Sequence, residues 1–261
     1  MDLLHKALIT AGVVAGLLWL LRQSGPRAGG LAAALPLTSA PVLIWLGIEQ
    51  GPGPVAGAAS GALLTTALTP LLVAVYGRLS PRHGPLSCLL LSLGAAAAAL
   101  LLLEPWLGRA ALAGLALALG FSALALRLLP QPVQALPRAG QWRRELLQTA
   151  AVAGALTWLI DGVTGHASAP SCGLLSAFPV VGLTTLCSTH RHQGAAVACQ
   201  FLAAYVEGTA AKAVFLALLV GGLNSLPLPW AWCGAAARGR VTQLMLRHPR
   251  ARLLWAVSTP S

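Results

Sequence analysis

Glu207 is the residue whose type and place most plainly invite chemistry. It sits in AYVEGTAAK, about twelve residues into an apolar run that starts near Ala195. At ~1.5 Å per helical residue that is roughly 18 Å deep, close to a bilayer midplane. An ionisable group at such depth is a functional candidate by default. It can take up a coupling proton or cation, or hold the cationic part of a solute. The structural alternative is a hydrogen bond to a neighbouring helix. Lys212 follows five residues later, about 140° around the helix, so the two do not share a face. Its place nearer the outer end suits a snorkelling lysine.

Two prolines come next. Pro36 in LPLTSAP and Pro179 in FPVVGLTT each stand about eight residues, or roughly 12 Å, into an apolar segment. A proline there lacks an amide hydrogen and clashes with the carbonyl four residues back. The carbonyls expected to lose their donors are those of Ala32 and Leu175. In hydrocarbon an unsatisfied carbonyl costs several kcal/mol, so protein, water or a ligand must answer it. Small or hydroxylated residues follow each proline: Thr38, Ser39 and Pro41 in one segment, Gly182, Thr184 and Thr185 in the other. The expected substrate- or ion-binding set is Pro36, Thr38, Ser39, Pro179, Gly182, Thr184, Thr185 and Glu207. A simple kink is the plainer reading of either proline alone.

The segments close on polar residues. Glu49 and Gln50 end the first, and His190, Arg191, His192 and Gln193 end the second. These six are the expected gating or mouth residues, and an ordinary basic loop is the alternative for the second group. Two histidines two apart cannot share a helical face, and no carboxylate or cysteine completes a metal site. The five cysteines lack any CxxC spacing and read as small buried hydrophobes. No metal, cofactor or catalytic group is expected.

The elements that must position these residues follow from composition. Hydrophobic residues make up 57% of the 261 and charged residues 9%. A soluble domain carries about 25% charged residues, so the bilayer is the main solvent. With roughly 20 apolar residues needed per crossing, nine candidate helices stand near 7–21, 28–48, 54–76, 86–103, 108–128, 146–161, 170–189, 195–220 and 222–237. The first, sixth and ninth are short. The first could be a signal peptide, but Asp2 offsets Lys6 and the segment has a later counterpart, so it reads as a retained helix.

The net charge of +11 invites a nucleic-acid partner, but its placement argues against one. With nine crossings and the N-terminus outside, nearly every arginine, Arg27 included, falls on the cytoplasmic side. The basic excess is then a topology signal with a secondary attraction to anionic lipid. The tail 238–261 is cytoplasmic and basic.

Shifted by 143 positions, Gly30 falls on Gly173, Pro36 on Pro179, Gln50 on Gln193 and Gly51 on Gly194. AGLLWLL at 15–21 is echoed by GALTWLI at 154–160. Five crossings separate equivalent positions, so the copies enter the membrane from opposite sides. The expected fold is therefore an all-α polytopic membrane protein of about nine transmembrane helices. Two inverted-topology repeats, helices 1–4 and 6–9, are joined by a central helix. The divisions are 1–104 for the first repeat, 105–145 for the linking helix and loop, 146–237 for the second repeat and 238–261 for the tail.

Inverted duplication with interrupted helices is the usual build of secondary transporters. The expected function is a non-enzymatic carrier that moves a small solute by alternating access, with protons or cations as coupling ions. The alternative is a non-catalytic membrane subunit or assembly factor. No paired aspartates or serine–histidine pair of an intramembrane protease is present, and no phosphate-cradling glycine loop. Expected partners are membrane lipids and a small-molecule or ion substrate, with a homodimer allowed and no nucleic acid. The motifs LPLTSAP…IEQG and FPVVGLTTLCSTHRHQG resemble those of uncharacterised bacterial inner-membrane proteins with two similar halves. That resemblance covers about a third of the chain. It implies a multi-pass bacterial inner-membrane location and no substrate.

Overall fold

The computed structural model describes residues 3–35, 39–107, 111–130, 168–223 and 228–247, with scattered positions between 147 and 158. Every described element is helical: α1 (Leu3–Ala33), α2 (Ser39–Gln50), α3 (Pro52–Leu79), α4 (Pro85–Leu107), α5 (Ala111–Leu128), α6 (Ala169–Ser176), α7 (Val180–Gln193), α8 (Ala195–Leu223) and α9 (Leu228–Arg247). The all-α expectation holds, and five of the stretches are long and apolar enough to cross a bilayer. These are Pro52–Leu79, Pro85–Leu103, Ala111–Leu128, Ala169–Gln193 and Ala195–Leu223. They match the expected crossings at 54–76, 86–103, 108–128, 170–189 and 195–220.

Of these, Ala169–Gln193 is itself divided between α6 and α7, and among the remaining expected crossings 7–21 lies within α1. The stretch 28–48 is divided between the end of α1 and α2, a helix of 12 residues. Twelve residues rise only about 18 Å, short of the ~30 Å hydrocarbon core. The stretch 222–237 straddles the end of α8 and the start of α9, and 146–161 falls mostly outside the described residues.

Glycine and proline set the boundaries. Gly25 interrupts α1 at φ 84°, ψ 171°, immediately before Pro26. Gly51 separates α2 from α3 at φ 84°, ψ −173°, and Gly194 separates α7 from α8 at φ 90°, ψ 170°. Backbone with such positive φ is open to glycine and costly for residues bearing a Cβ. The two glycines lie 143 positions apart and take nearly the same dihedral angles.

The same shift carries α2 onto α7 and α3 onto α8 with ends agreeing within a few residues. It also relates the packing. α1 lies on α8 as α6 lies on α3, and α4 lies on α3 as α9 lies on α8. Two cores result. In one, Val55, Ala58 and Ala62 from the start of α3 meet Leu216 and Leu219 from the end of α8. In the other, Ala198, Phe201 and Tyr205 from the start of α8 meet Val73 and Tyr76 from the end of α3. The two long helices therefore run antiparallel. α5 packs on both and gives Ala118 to one core and Ala125 to the other.

Between helices in lipid, close van der Waals contact replaces hydrophobic driving force, and small residues permit it. Gly30 is pressed against the Phe201 carbonyl and the Tyr205 amide of α8. Gly173 is pressed against the Ala58 carbonyl of α3. Residues 58 and 201 are themselves 143 apart. Any Cβ at either glycine would overlap backbone.

Candidate functional site

Both proline-bearing segments are interrupted where the sequence predicts. The first break lies between Ala33 and Ser39, though Pro36 and Thr38 are outside the described residues. The second lies between Ser176 and Val180, and Pro179 precedes the first residue of α7 at φ −80°, ψ 51°. Pro179 thus starts a new helix and does not kink a continuous one.

The expected open carbonyls are not open. The Leu35 amide donates to Ala32 at 3.1 Å, and the Phe178 amide donates to Leu175 at 3.1 Å. One residue earlier, Ala34 donates to Gly30 and Ala177 to Gly173, at 3.2 and 3.0 Å. Each helix tightens its last turn, so the final amide reaches back three residues and not four. This moves the vacancy to the carbonyls of Leu31 and Leu174. The Thr65 hydroxyl donates to Leu174 at 2.9 Å. Position 208, equivalent to 65, is glycine, and a methyl built there would stand 3.2 Å from the Leu31 carbonyl. The Leu174 carbonyl is capped by a hydroxyl, and the Leu31 carbonyl meets bare backbone.

Among the expected binding residues, Ser39 is fully buried and Thr185 is 3% exposed. Neither hydroxyl oxygen has a hydrogen-bond partner among the described residues. Most buried polar atoms are satisfied, so an exception at each break calls for an explanation. Thr184 has a local role: its hydroxyl donates to Val180 at 2.8 Å and Val181 at 3.2 Å, repairing the first turn of α7. Gly182 faces Tyr205, whose hydroxyl would be 2.6 Å from a Cβ at that position. Glycine is what lets the phenol reach the start of α7.

Glu207 faces Arg27, with Nη2 and Oε2 3.6 Å apart. The carboxylate is 14% exposed and the guanidinium side chain 56%. Sequence reasoning set Arg27 among the cytoplasmic arginines and missed this pairing. The missed signal was Gly25-Pro26, which restarts the helix just before Arg27 and turns its face onto α8. The positions 143 residues away, Pro170 and Leu64, hold no such pair. The two partners are held unequally. A buried charge stripped of its counter-charge costs ~3–5 kcal/mol, whereas an exposed arm contributes about 1 kcal/mol or less.

The expected mouth residues separate. Arg191 and His192 are exposed, as is Gln50, and Gln193 is half-buried. Glu49 stands in the last turn of α2. His190 is buried at 9% exposure, so it is no part of an open rim. Its Nδ1 lies 2.9 Å from the Tyr76 hydroxyl. Tyr76 is fully buried. Tyr76 is not legible in the sequence, because one tyrosine near a helix end carries no spacing signal. None of the five cysteines forms a disulfide. Of the cysteines expected to be buried, Cys88 and Cys199 are, while Cys172 and Cys187 are half-buried and Cys233 is exposed. Among the described residues no group of three metal-ligating side chains comes together.

Comparison with protein-family models, curated proteins and solved structures finds no match.

Proposed function

We propose that the protein is a secondary carrier of the bacterial inner membrane, built from two inverted-topology halves that rock about a central polar site. The observation that carries this reading is the pair of helix breaks with buried, unpartnered hydroxyls at Ser39 and Thr185. A polar ligand would satisfy those oxygens and offset their desolvation. The antiparallel course of α3 and α8, and the two cores exchanged by the 143-residue shift, support halves that face opposite sides. Interrupted spans at matched positions of two halves are the best sequence pointer to a transport site. In this reading the N-terminus is outside, the C-terminal tail is cytoplasmic and the chain crosses nine times.

The test uses the full-length protein in liposomes preloaded with a bacterial metabolite extract. Released solutes are identified by mass spectrometry against empty liposomes. Saturable counterflow of one solute class, weakened by Ser39→Ala and Thr185→Val, is the expected result. Release equal to that of empty liposomes for every solute would remove the carrier reading.

A further inference from the structure

We infer that the solute is a carboxylate, held by its oxygens at the start of α7. The inference rests on the carrier reading and names the ligand class of the same site. α7 is a helix of 14 residues that begins afresh after the break at Pro179. The amides of a first turn have no partner within their own helix. Here the Val180 amide turns back to Phe178 at 2.8 Å, and the Leu183 amide opens the regular ladder on Pro179 at 2.8 Å. The amides between them, of Val181 and Gly182, find no backbone acceptor among the described residues. They stand at the positive end of the helix dipole.

Two hydroxyls join these amides. The Tyr205 phenol lies against Gly182, its oxygen 2.6 Å from where a Cβ would be. Thr185 is three residues beyond Gly182, so its side chain shares that face and leans back toward the helix start. The hydroxyls of Thr66, Thr69, Thr184 and Thr209 each donate to the carbonyl four residues back. The hydroxyl of Thr185 makes no such bond and has no partner, although the residue is only 3% exposed. Amides only donate, so the start of α7 presents donors and positive potential. That combination repels a cation. It favours a charged oxygen over a neutral carbonyl, because charge-assisted hydrogen bonds are roughly twice as strong. A carboxylate can accept about four bonds on its two oxygens, and a helix start is a ready anion site.

The other break repeats the arrangement. α2 begins at Ser39, which is fully buried and whose hydroxyl has no partner among the described residues. A serine at a helix start ordinarily bonds an amide two or three residues on. The residue two on is Pro41, which has no amide hydrogen to offer. Glu207 lies two residues beyond Tyr205 but faces Arg27 of α1 at 3.6 Å, so it brings no bare negative charge to the start of α7.

The experiment measures thermal unfolding of the purified full-length protein in detergent at constant ionic strength. Sodium acetate is titrated against sodium chloride, with acetamide as the neutral arm and methylammonium chloride as the cation arm. The expected result is saturable stabilisation by acetate alone. Thr185→Val and Tyr205→Phe should each weaken acetate binding about tenfold, the loss of one hydrogen bond to a charged oxygen. Thr69→Val, which removes a bond of 2.9 Å within its own helix, should leave acetate binding at the wild-type value. If one of the two site variants does not fold, the other decides. Acetate that stabilises no better than chloride or acetamide overturns the inference, and so does stabilisation by methylammonium. So does acetate binding that is unchanged in both Thr185→Val and Tyr205→Phe. Acetate binding in detergent with no release of any solute from liposomes keeps the carboxylate site and removes the carrier. Release restricted to cationic or neutral solutes keeps the carrier and removes this ligand class.

Discussion

The phenol of Tyr76 and the imidazole of His190 meet edge to face inside the bundle, ring centroids 5.7 Å apart and planes at 70°, with hydroxyl and Nδ1 at 2.9 Å. The contact ties the end of α3 to the end of α7, and both groups are buried. Tyr76→Phe removes one partner and strands the other, so the expected loss is about 1–3 kcal/mol of stability. His190→Phe together with Tyr76→Phe should recover part of that loss, because neither ring is then left without the other's polar atom. Denaturation of the purified variants in detergent checks both.

Gly30 and Gly173 tolerate no Cβ, because each lies on the backbone of a long helix. Alanine at either position should cost about 1–3 kcal/mol through overpacking. Gly94→Ala, where the added methyl meets open space, should be neutral or gain up to about 1 kcal/mol from helix propensity. Thermal midpoints of the three single variants, read side by side, test this ordering.

Thr65→Val keeps the shape of the side chain and removes the hydroxyl that caps Leu174. The variant leaves a carbonyl without its donor inside the bundle and should lose about 1–3 kcal/mol. Thr66→Val removes only a bond within its own helix, to Ala62 at 2.7 Å, so its loss should be smaller. Equal losses in the two variants would remove the capping role of Thr65.

Ser39→Ala and Thr185→Val should separate stability from transport. Their hydroxyls have no partner among the described residues, so removal should leave the unfolding midpoint unchanged or raise it. Solute release from liposomes should fall in the same variants. Lower stability with normal release would mean that the hydroxyls are structural.

The proposed topology places the end of α9 in the cytoplasm. Met245→Cys, made in a chain whose five native cysteines are replaced, should resist an impermeant maleimide in intact cells and react after the membrane is opened. Labelling in intact cells would put the tail outside and remove the ninth crossing.

The break near Pro36 and Pro179 was legible because proline is a local, binary signal. Gly51 and Gly194 were legible as markers of the 143-residue shift, and their shared positive φ gives that marker a physical cause. The rerouted carbonyls were not legible, since the turn tightens by one hydrogen bond without any change of residue type. The pairing of Arg27 was not legible for a different reason. Counting basic residues by loop treats every arginine near a span end as a topology signal, and a glycine kink returned this one to the bundle. His190 looked like part of a basic cluster because its partner, Tyr76, is 114 positions away.

The central helix α5 lends one alanine to each core, Ala118 to the first and Ala125 to the second, seven residues apart and so about two turns. Methyl groups make low ridges. They let α3 and α8, which run through both cores, approach α5 closely at two levels. A leucine at either alanine, both fully buried, would wedge the three helices apart at that level.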